Sequence, residues 1–416
     1  MRILAAVCLS VALTVSQTSC GTRSPVACPE ATSVSRVATV YYATDRRETN
    51  VAGRRWFGRD RTDPPGLHLG KERVVLGPRH RLGKLDAPIA IIPDGGPAIN
   101  PSAIRENALR RTDAEIEAFA KTRLRAAIRA SAPSQPGGRR QVLLYVHGFN
   151  NSFDEAIRKT AQLAGDLGLV NCQGRSFGVA IAYSWPTLGG VLSYIADEEN
   201  AEWTEQRLAP FLQSVGSVCR AENAELYVIA HSMGARAVVR SLADLTRAGD
   251  TNGTRPLVDH VVLLAPDIGK GIFEQYVERF LPHIGHMTIY VSSRDRALAF
   301  SSFLRGGRQR LGLLGSTIIA AVELTGLRLD DHRYLADVAG QAGENGKIDM
   351  IDVSTGFASQ FGHSYEDAAF IQDLRHLINH DTRAGSGSRA NLKPKVLSSR
   401  VFQGTAARRL NYFTLD

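Results

Sequence analysis

The sequence predicts an α/β fold, a mostly parallel central sheet with helices on both faces. Two observations carry this. From residue 137 to residue 383, short aliphatic and β-branched runs alternate with longer amphipathic stretches, the βαβα order of a parallel sheet. Within that region, residues 226–234, Leu-Tyr-Val-Ile-Ala-His-Ser-Met-Gly, run a buried strand into a turn with Ser232 at its tip. A turn that tight needs small residues two before and two after the serine, because a larger Cβ would meet the neighbouring strand and helix. Here they are Ala230 and Gly234. Residues 235–245 read as a helix, so Ser232 stands at a helix N-terminus, where backbone N–H groups favour developing negative charge. The plain alternative is a serine that caps an ordinary helix.

The elements follow in order. Met1-Arg2 and the thirteen apolar residues 3–15 are too short to span a bilayer and have the build of a secretory signal, residues 1–19. The run ends in Ser16-Gln-Thr-Ser-Cys20-Gly21, which looks like a bacterial lipoprotein processing site with Cys20 as the lipidated N-terminus. Gln17 departs from the aliphatic residue expected there; ordinary signal cleavage, leaving a soluble exported protein, is the alternative. Residues 20–36 read as a flexible tether. Residues 37–136 form an N-terminal extension. It holds the first strands of the sheet, at 36–43 and 72–77, an Arg/Gly/Pro-rich loop between them, and a helix at 112–130 opened by a capping box at Thr112 and Glu115. The catalytic core, 137–383, has strands at 141–146, 178–184, 286–292 and 347–354 and helices at 153–165 and 196–218. The basic residues 384–416 are expected to be disordered.

Chemistry gathers at the C-terminal ends of parallel strands, and the partners of a serine in such a sheet follow in the order acid, then histidine. Asp295 follows the strand at 286–292, and His363 lies in the loop after 347–354. Ser232 would attack an acyl carbonyl, His363 would take its proton, and Asp295 would orient the imidazole. Asp267, just past residues 261–264, is the alternative acid or a helix N-cap. Asp295 is preferred because its strand is one step further from the serine strand. Acyl transfer needs two backbone N–H donors for the oxyanion. Met233 supplies one and Phe149, in the loop His147-Gly148-Phe149, the other. Gly148 lets the backbone approach the substrate, and His147 and His231 are read as structural. Trp185 and Tyr194 are expected to line the pocket, the alternative being ordinary core aromatics. The apolar residues 311–324 read equally as a wall over the site and as a buried helix.

These pieces resemble a known family. Val40-Tyr-Tyr-Ala-Thr-Asp-Arg46, Tyr145-Val-His-Gly-Phe-Asn-Asn151, Tyr183-Ser-Trp-Pro186, Tyr194-Ile-Ala-Asp197, Ala230-His-Ser-Met-Gly234, Leu264-Ala-Pro-Asp267 and Gly362-His-Ser-Tyr365 occur in this order. They are similar to the alpha/beta-hydrolase superfamily, in particular to a bacterial branch of alpha/beta hydrolases of unknown function. The resemblance implies that fold and an esterase- or lipase-like Ser-His-Asp site acting on a carboxylic ester or thioester through an acyl-enzyme. It implies no substrate. Ala230 stands where the usual motif has glycine and is small enough for the turn. The same triad would also serve an acyltransferase, and an inactive scaffold lipoprotein is the remaining alternative.

Composition fits a globular enzyme: 44% hydrophobic and 22% charged residues are ordinary values. The net charge of +9 is spread along the chain in short arginine pairs without a nucleic-acid-binding motif, so no nucleic-acid partner is expected, and attraction to an anionic membrane surface or envelope polymer is an equal reading of the charge. The expected partners are an ester substrate, small or lipidic, and a membrane reached through the anchor. Of the five cysteines, Cys8 lies in the signal; Cys172 and Cys219 fall at one edge of the sheet, where a disulfide is open to them in an oxidising envelope. No Cys/His cluster has metal-ligand spacing, and no cofactor is expected.

Overall fold

The computed structural model describes residues 36–51, 54–77, 90–93, 108–134, 137–170, 176–247, 255–308, 310–313, 347–354, 368–380, 392–394 and 412–415. His363, Cys20, Cys28, Cys172 and residues 314–346 lie outside them.

Alternation of side chains about the strands builds two cores, one on each face of a single sheet. In β6 (Arg140–Val146), Val142, Leu144 and Val146 enter one core, and Leu143 and Tyr145 the other. Every second residue of a strand faces the same way, so a strand apolar throughout must be covered on both sides. The first core is closed by α1 (Ala108–Phe119) and α2 (Arg125–Ala130), which flank a π-helical stretch, Ala120–Leu124. α4 (Tyr194–Ala221), α5 (Gly234–Arg247) and α6 (Lys270–Phe280) complete it. The second core is closed by α3 (Phe153–Asp166), α7 (Arg296–Leu304) and α8 (Ala368–His380).

The central strands are β7 (Gly178–Ser184), β8 (Ala224–His231), β9 (Val258–Leu264), β10 (Ile284–Val291) and β11 (Ile348–Asp352). With β6 and β1 (Arg36–Thr44) they stand in the order β11-β10-β9-β8-β6-β7-β1, every neighbour parallel. The register keeps their C-terminal ends level: Val146 faces Ala230 and Tyr183, His231 faces Leu264, Leu264 faces Tyr290, and Val291 faces Asp352. The loops after these ends therefore share one edge of the sheet.

Several expectations are corrected. Between β1 and β4 (His68–Leu76), the Arg/Gly/Pro-rich loop contains a hairpin of β2 (Arg46–Val51) and β3 (Arg54–Arg61). The strands read at 36–43 and 72–77 do open the central sheet, as expected: β1 pairs parallel with β7, β4 pairs antiparallel with β1, and β5 (Ala90–Pro93), not foreseen, pairs antiparallel with β4. Residues 384–416 contribute two strands: β13 (Tyr412–Leu415) pairs parallel with β11, and β12 (Leu392–Pro394) pairs antiparallel with β13. Both outer strands of the eleven end in a proline, which blunts an open edge. α1 starts at Ala108, so Thr112 and Glu115 lie inside the helix and cannot cap it. Cys219 is a buried thiol that faces the core from α4; the disulfide weighed for it involves Cys172, which lies outside the described residues.

The capping box occurs instead at α3. Ser152 Oγ accepts the Glu155 N–H (3.2 Å), and Glu155 Oε2 accepts the Ser152 N–H (2.7 Å). This pair sets the start of the helix that follows the His147–Asn151 loop. Ser152→Ala should lower stability by about 1 kcal/mol, read as a lower urea midpoint at unchanged m-value.

Candidate active site

Ser232 sits between the end of β8 and the start of α5 with φ +52°. An L-residue in that left-handed region costs roughly 1–2 kcal/mol, so the surrounding contacts must hold it. Its N–H donates to Leu264 O (2.8 Å), and its carbonyl accepts the N–H groups of Asp267 (3.0 Å) and Ala235 (3.1 Å). The turn is thus pinned to the segment after β9. Close approach explains the small residues. A Cβ on Gly234 would lie 2.3 Å from His147 O, and one on Gly148 would lie 3.0 Å from Ser232 Cβ. Ala230 is fully buried, with room for one methyl group.

The loop beside Ser232 is held from behind. Arg46 reaches in from the start of β2, fully buried: Nη2 donates to Asn151 O (2.6 Å) and to His147 Nε2 (3.3 Å), and Nε donates to Ser184 Oγ (2.9 Å). A guanidinium can only donate, so His147 Nε2 is an acceptor and its proton sits on Nδ1, which donates to Gly148 O (2.8 Å). Burial first, then the charge of Arg46, holds His147 well below its usual pKa. It is a neutral structural group, as the sequence suggested. Burial also pushes Arg46 down to about 9.

This network orients the peptide that matters. Gly148 O accepts from both His147 Nδ1 and Asn151 Nδ2 (3.2 Å). In a planar trans peptide the N–H points opposite to the C=O, so the Phe149 N–H is turned away from His147 and Asn151. Among the described residues, neither the Phe149 N–H nor the Met233 N–H has a hydrogen-bond acceptor.

Trp185 departs from expectation. It is fully buried, stacks on His147 (5.3 Å, 9°) and donates from Nε1 to His147 O (2.7 Å). It buttresses the loop rather than lining a pocket. Tyr194, half-buried at the start of α4, does face this edge: its ring lies 5.0 Å from Phe149, and its hydroxyl donates to Asp267 Oδ2.

The two candidate acids differ in their partners. Asp267 is fully buried; Oδ1 accepts from Ser301 Oγ (2.7 Å) and pairs with Arg310 (3.3 Å), and Oδ2 accepts from Tyr194. Its carbonyl takes Arg236 Nε (2.7 Å). Asp267 thus ties α4, α5 and α7 together. Asp295, also fully buried, caps α7 through Oδ1 and Leu298 N–H (2.9 Å). Leu311 and Leu313, the described apolar members of the 311–324 segment, are buried in the core, and Gly312 binds Ser292 and Pro266 through backbone hydrogen bonds.

Sequence reading missed Arg46, Ser301 and Arg310. The signal for Arg46 was present: a Thr-Asp-Arg run directly behind an apolar strand demands buried partners.

Two outcomes follow. Gly234→Ala should cost roughly 1–3 kcal/mol by overpacking against the His147 carbonyl, measurable by urea unfolding. The unfolded chain protonates His147 near pH 6.5 and the folded chain does not, so this group's contribution is present above that pH and is lost as pH falls below it. The melting-temperature gap between wild type and His147→Asn should therefore narrow from about pH 7.5 to about pH 5.

Residues 120–321 match the family described as "Alpha/beta hydrolase of unknown function (DUF900)". Among solved structures, the dienelactone hydrolase-like promiscuous phosphotriesterase P91 from metagenomic libraries matches 60% of this chain and 87% of its own, at 10% identity and TM-score 0.31. A structure titled FAE matches 82% of this chain and 88% of its own, at 8% identity and TM-score 0.30. No curated protein matches the chain. The mostly parallel sheet and the strand–serine–helix turn give the chain the alpha/beta-hydrolase fold, and residues 120–321, which contain that turn, are similar to the family of unknown function.

Proposed function

We propose that the chain is a serine hydrolase that cleaves a carboxylic ester or thioester through an acyl-enzyme. The observation that carries this reading is Ser232 held at φ +52° at a helix N-terminus, with the Gly148–Phe149 peptide packed beside it. An ordinary helix cap has no need of that strained backbone.

In the proposed reaction, Ser232 Oγ attacks the acyl carbon while its proton passes to His363. The carbonyl oxygen becomes an oxyanion that accepts from the Phe149 and Met233 N–H groups. The tetrahedral intermediate collapses, the bond to the leaving group breaks, and His363 returns the proton to the departing alcohol or thiol. Water, activated by the same histidine, then attacks the acyl-serine and releases the acid. Asp295 orients His363. Its place after β10, two strands from β8, supports this role, as does the full set of structural partners on Asp267. We further propose, from the apolar run at 3–15 and from Cys20, that the chain is exported and lipid-anchored in a bacterial envelope.

Labelling with a fluorophosphonate probe tests the mechanism. Wild type should label and Ser232→Ala should not. His363→Ala should label at least about a thousandfold more slowly and Asp295→Asn at least about a hundredfold. Asp267→Asn should stay within roughly tenfold of wild type. Labelling that persists in Ser232→Ala, or a folded wild type that never labels, would sink the reading.

A further inference from the structure

Among the described residues, eight large hydrophobic side chains are exposed, and seven stand on the same edge of the sheet as Ser232. Leu188, Leu192 and Ile195 follow β7, Ile272 opens α6 after β9, and Phe300, Phe303 and Leu304 belong to α7 after β10. Leu192 is fully exposed, and Ile195 and Phe303 are 67% and 68% exposed. Chance scatter would spread such residues over the whole surface; apolar exposure concentrated on one rim marks an interaction site.

α7 shows how the rim is built. Leu298, Ser301 and Ser302 sit at helical spacing and are buried, the inner face of the helix. Phe300, Phe303 and Leu304 share the opposite face and point to solvent, with Arg296 one turn before Phe300. A helix usually hides its apolar stripe; this one presents a second stripe outward. The rim is continuous with α4. Arg305 pairs with Glu198, lies 5.0 Å over the Tyr194 ring, and follows Leu304 directly. Ile195 and Leu304 thus belong to neighbouring helix ends.

Charge selects the partner. From residue 284 to 308, Arg294, Arg296 and Arg308 are exposed, and the single carboxylate, Asp295, is buried. The exposed Glu199 on α4 is paired with Arg61. Aromatic and aliphatic tips flanked by arginines, on helix ends and loops rather than in a groove, match the interface of an anionic bilayer: apolar tips enter the acyl boundary while guanidinium groups meet lipid phosphates.

We propose that this rim docks on an anionic phospholipid surface with the Ser232 turn facing the membrane, so that the substrate is a lipid ester taken from the bilayer. The substrate clause rests on the ester-hydrolase reading; the docking does not.

The test uses the full chain carrying Cys20→Ser, with and without Phe303→Trp, mixed with phosphatidylcholine–phosphatidylglycerol vesicles whose acyl chains are brominated. The tryptophan of Phe303→Trp should be quenched beyond the wild-type background, and binding should weaken at least roughly tenfold on phosphatidylcholine alone. The F300S/F303S/L304S variant should bind anionic vesicles at least roughly tenfold more weakly and label with fluorophosphonate in solution at the wild-type rate. Vesicle-bound Phe303→Trp without added quenching would overturn the proposal even if the triple variant does not fold. So would a dimer in sedimentation velocity that the triple variant dissociates, since the rim would then meet a second copy. Quenching with no labelling of Ser232 would leave docking in place and remove only the ester-hydrolase reading.

Discussion

The site depends on one buried guanidinium. Arg46 enters from the N-terminal hairpin and bonds at once to the end of β7, to His147 and to the carbonyl of Asn151. A charge buried this way is costly unless every donor is matched, and here the acceptors are the loop beside Ser232. Nη1 adds Gly58 O, so the same group also fastens the β2–β3 hairpin to the core. Asp45, next in the chain, lies fully buried against Thr204 and Arg207 of α4, and burial raises its pKa. The loop, hairpin, central strands and long helix are therefore joined through polar contacts that no apolar packing could replace with the same direction.

That direction is the useful product. An apolar contact fixes distance but leaves a peptide free to rotate. Two donors on Gly148 O fix the plane of the next peptide as well. The neutral state of His147 belongs to the same arrangement: a protonated ring would place a second cation against Arg46 and lose the acceptor at Nε2.

The central strands and the serine turn were legible because their physics is local. Residues 226–234 carry the buried run, the small neighbours of Ser232 and the helix start within nine positions. Asp267 and Asp295 each follow a strand in the same way, and only long-range partners separate them: Tyr194, Ser301 and Arg310 come from distant segments. Trp185 was misread because an aromatic just past a strand has the same sequence context whether it lines a pocket or supports a loop; the hydrogen bond to His147 O decides. β12 and β13 escaped because residues 392–394 and 412–415 are too short for periodicity to register. Their pairing depends on the open edge of β11, which composition does not encode.

That edge has a consequence for how the molecule is made. β13 pairs with β11, the strand from which the chain leads toward His363, yet β13 is formed from residues 412–415. During synthesis, every residue up to 411 can emerge while β11 still shows a bare parallel edge. Such edges invite pairing with other chains. The interval before residue 415 appears is the period when a chaperone has most to protect, and a chain halted there would present its unfinished side to its neighbours.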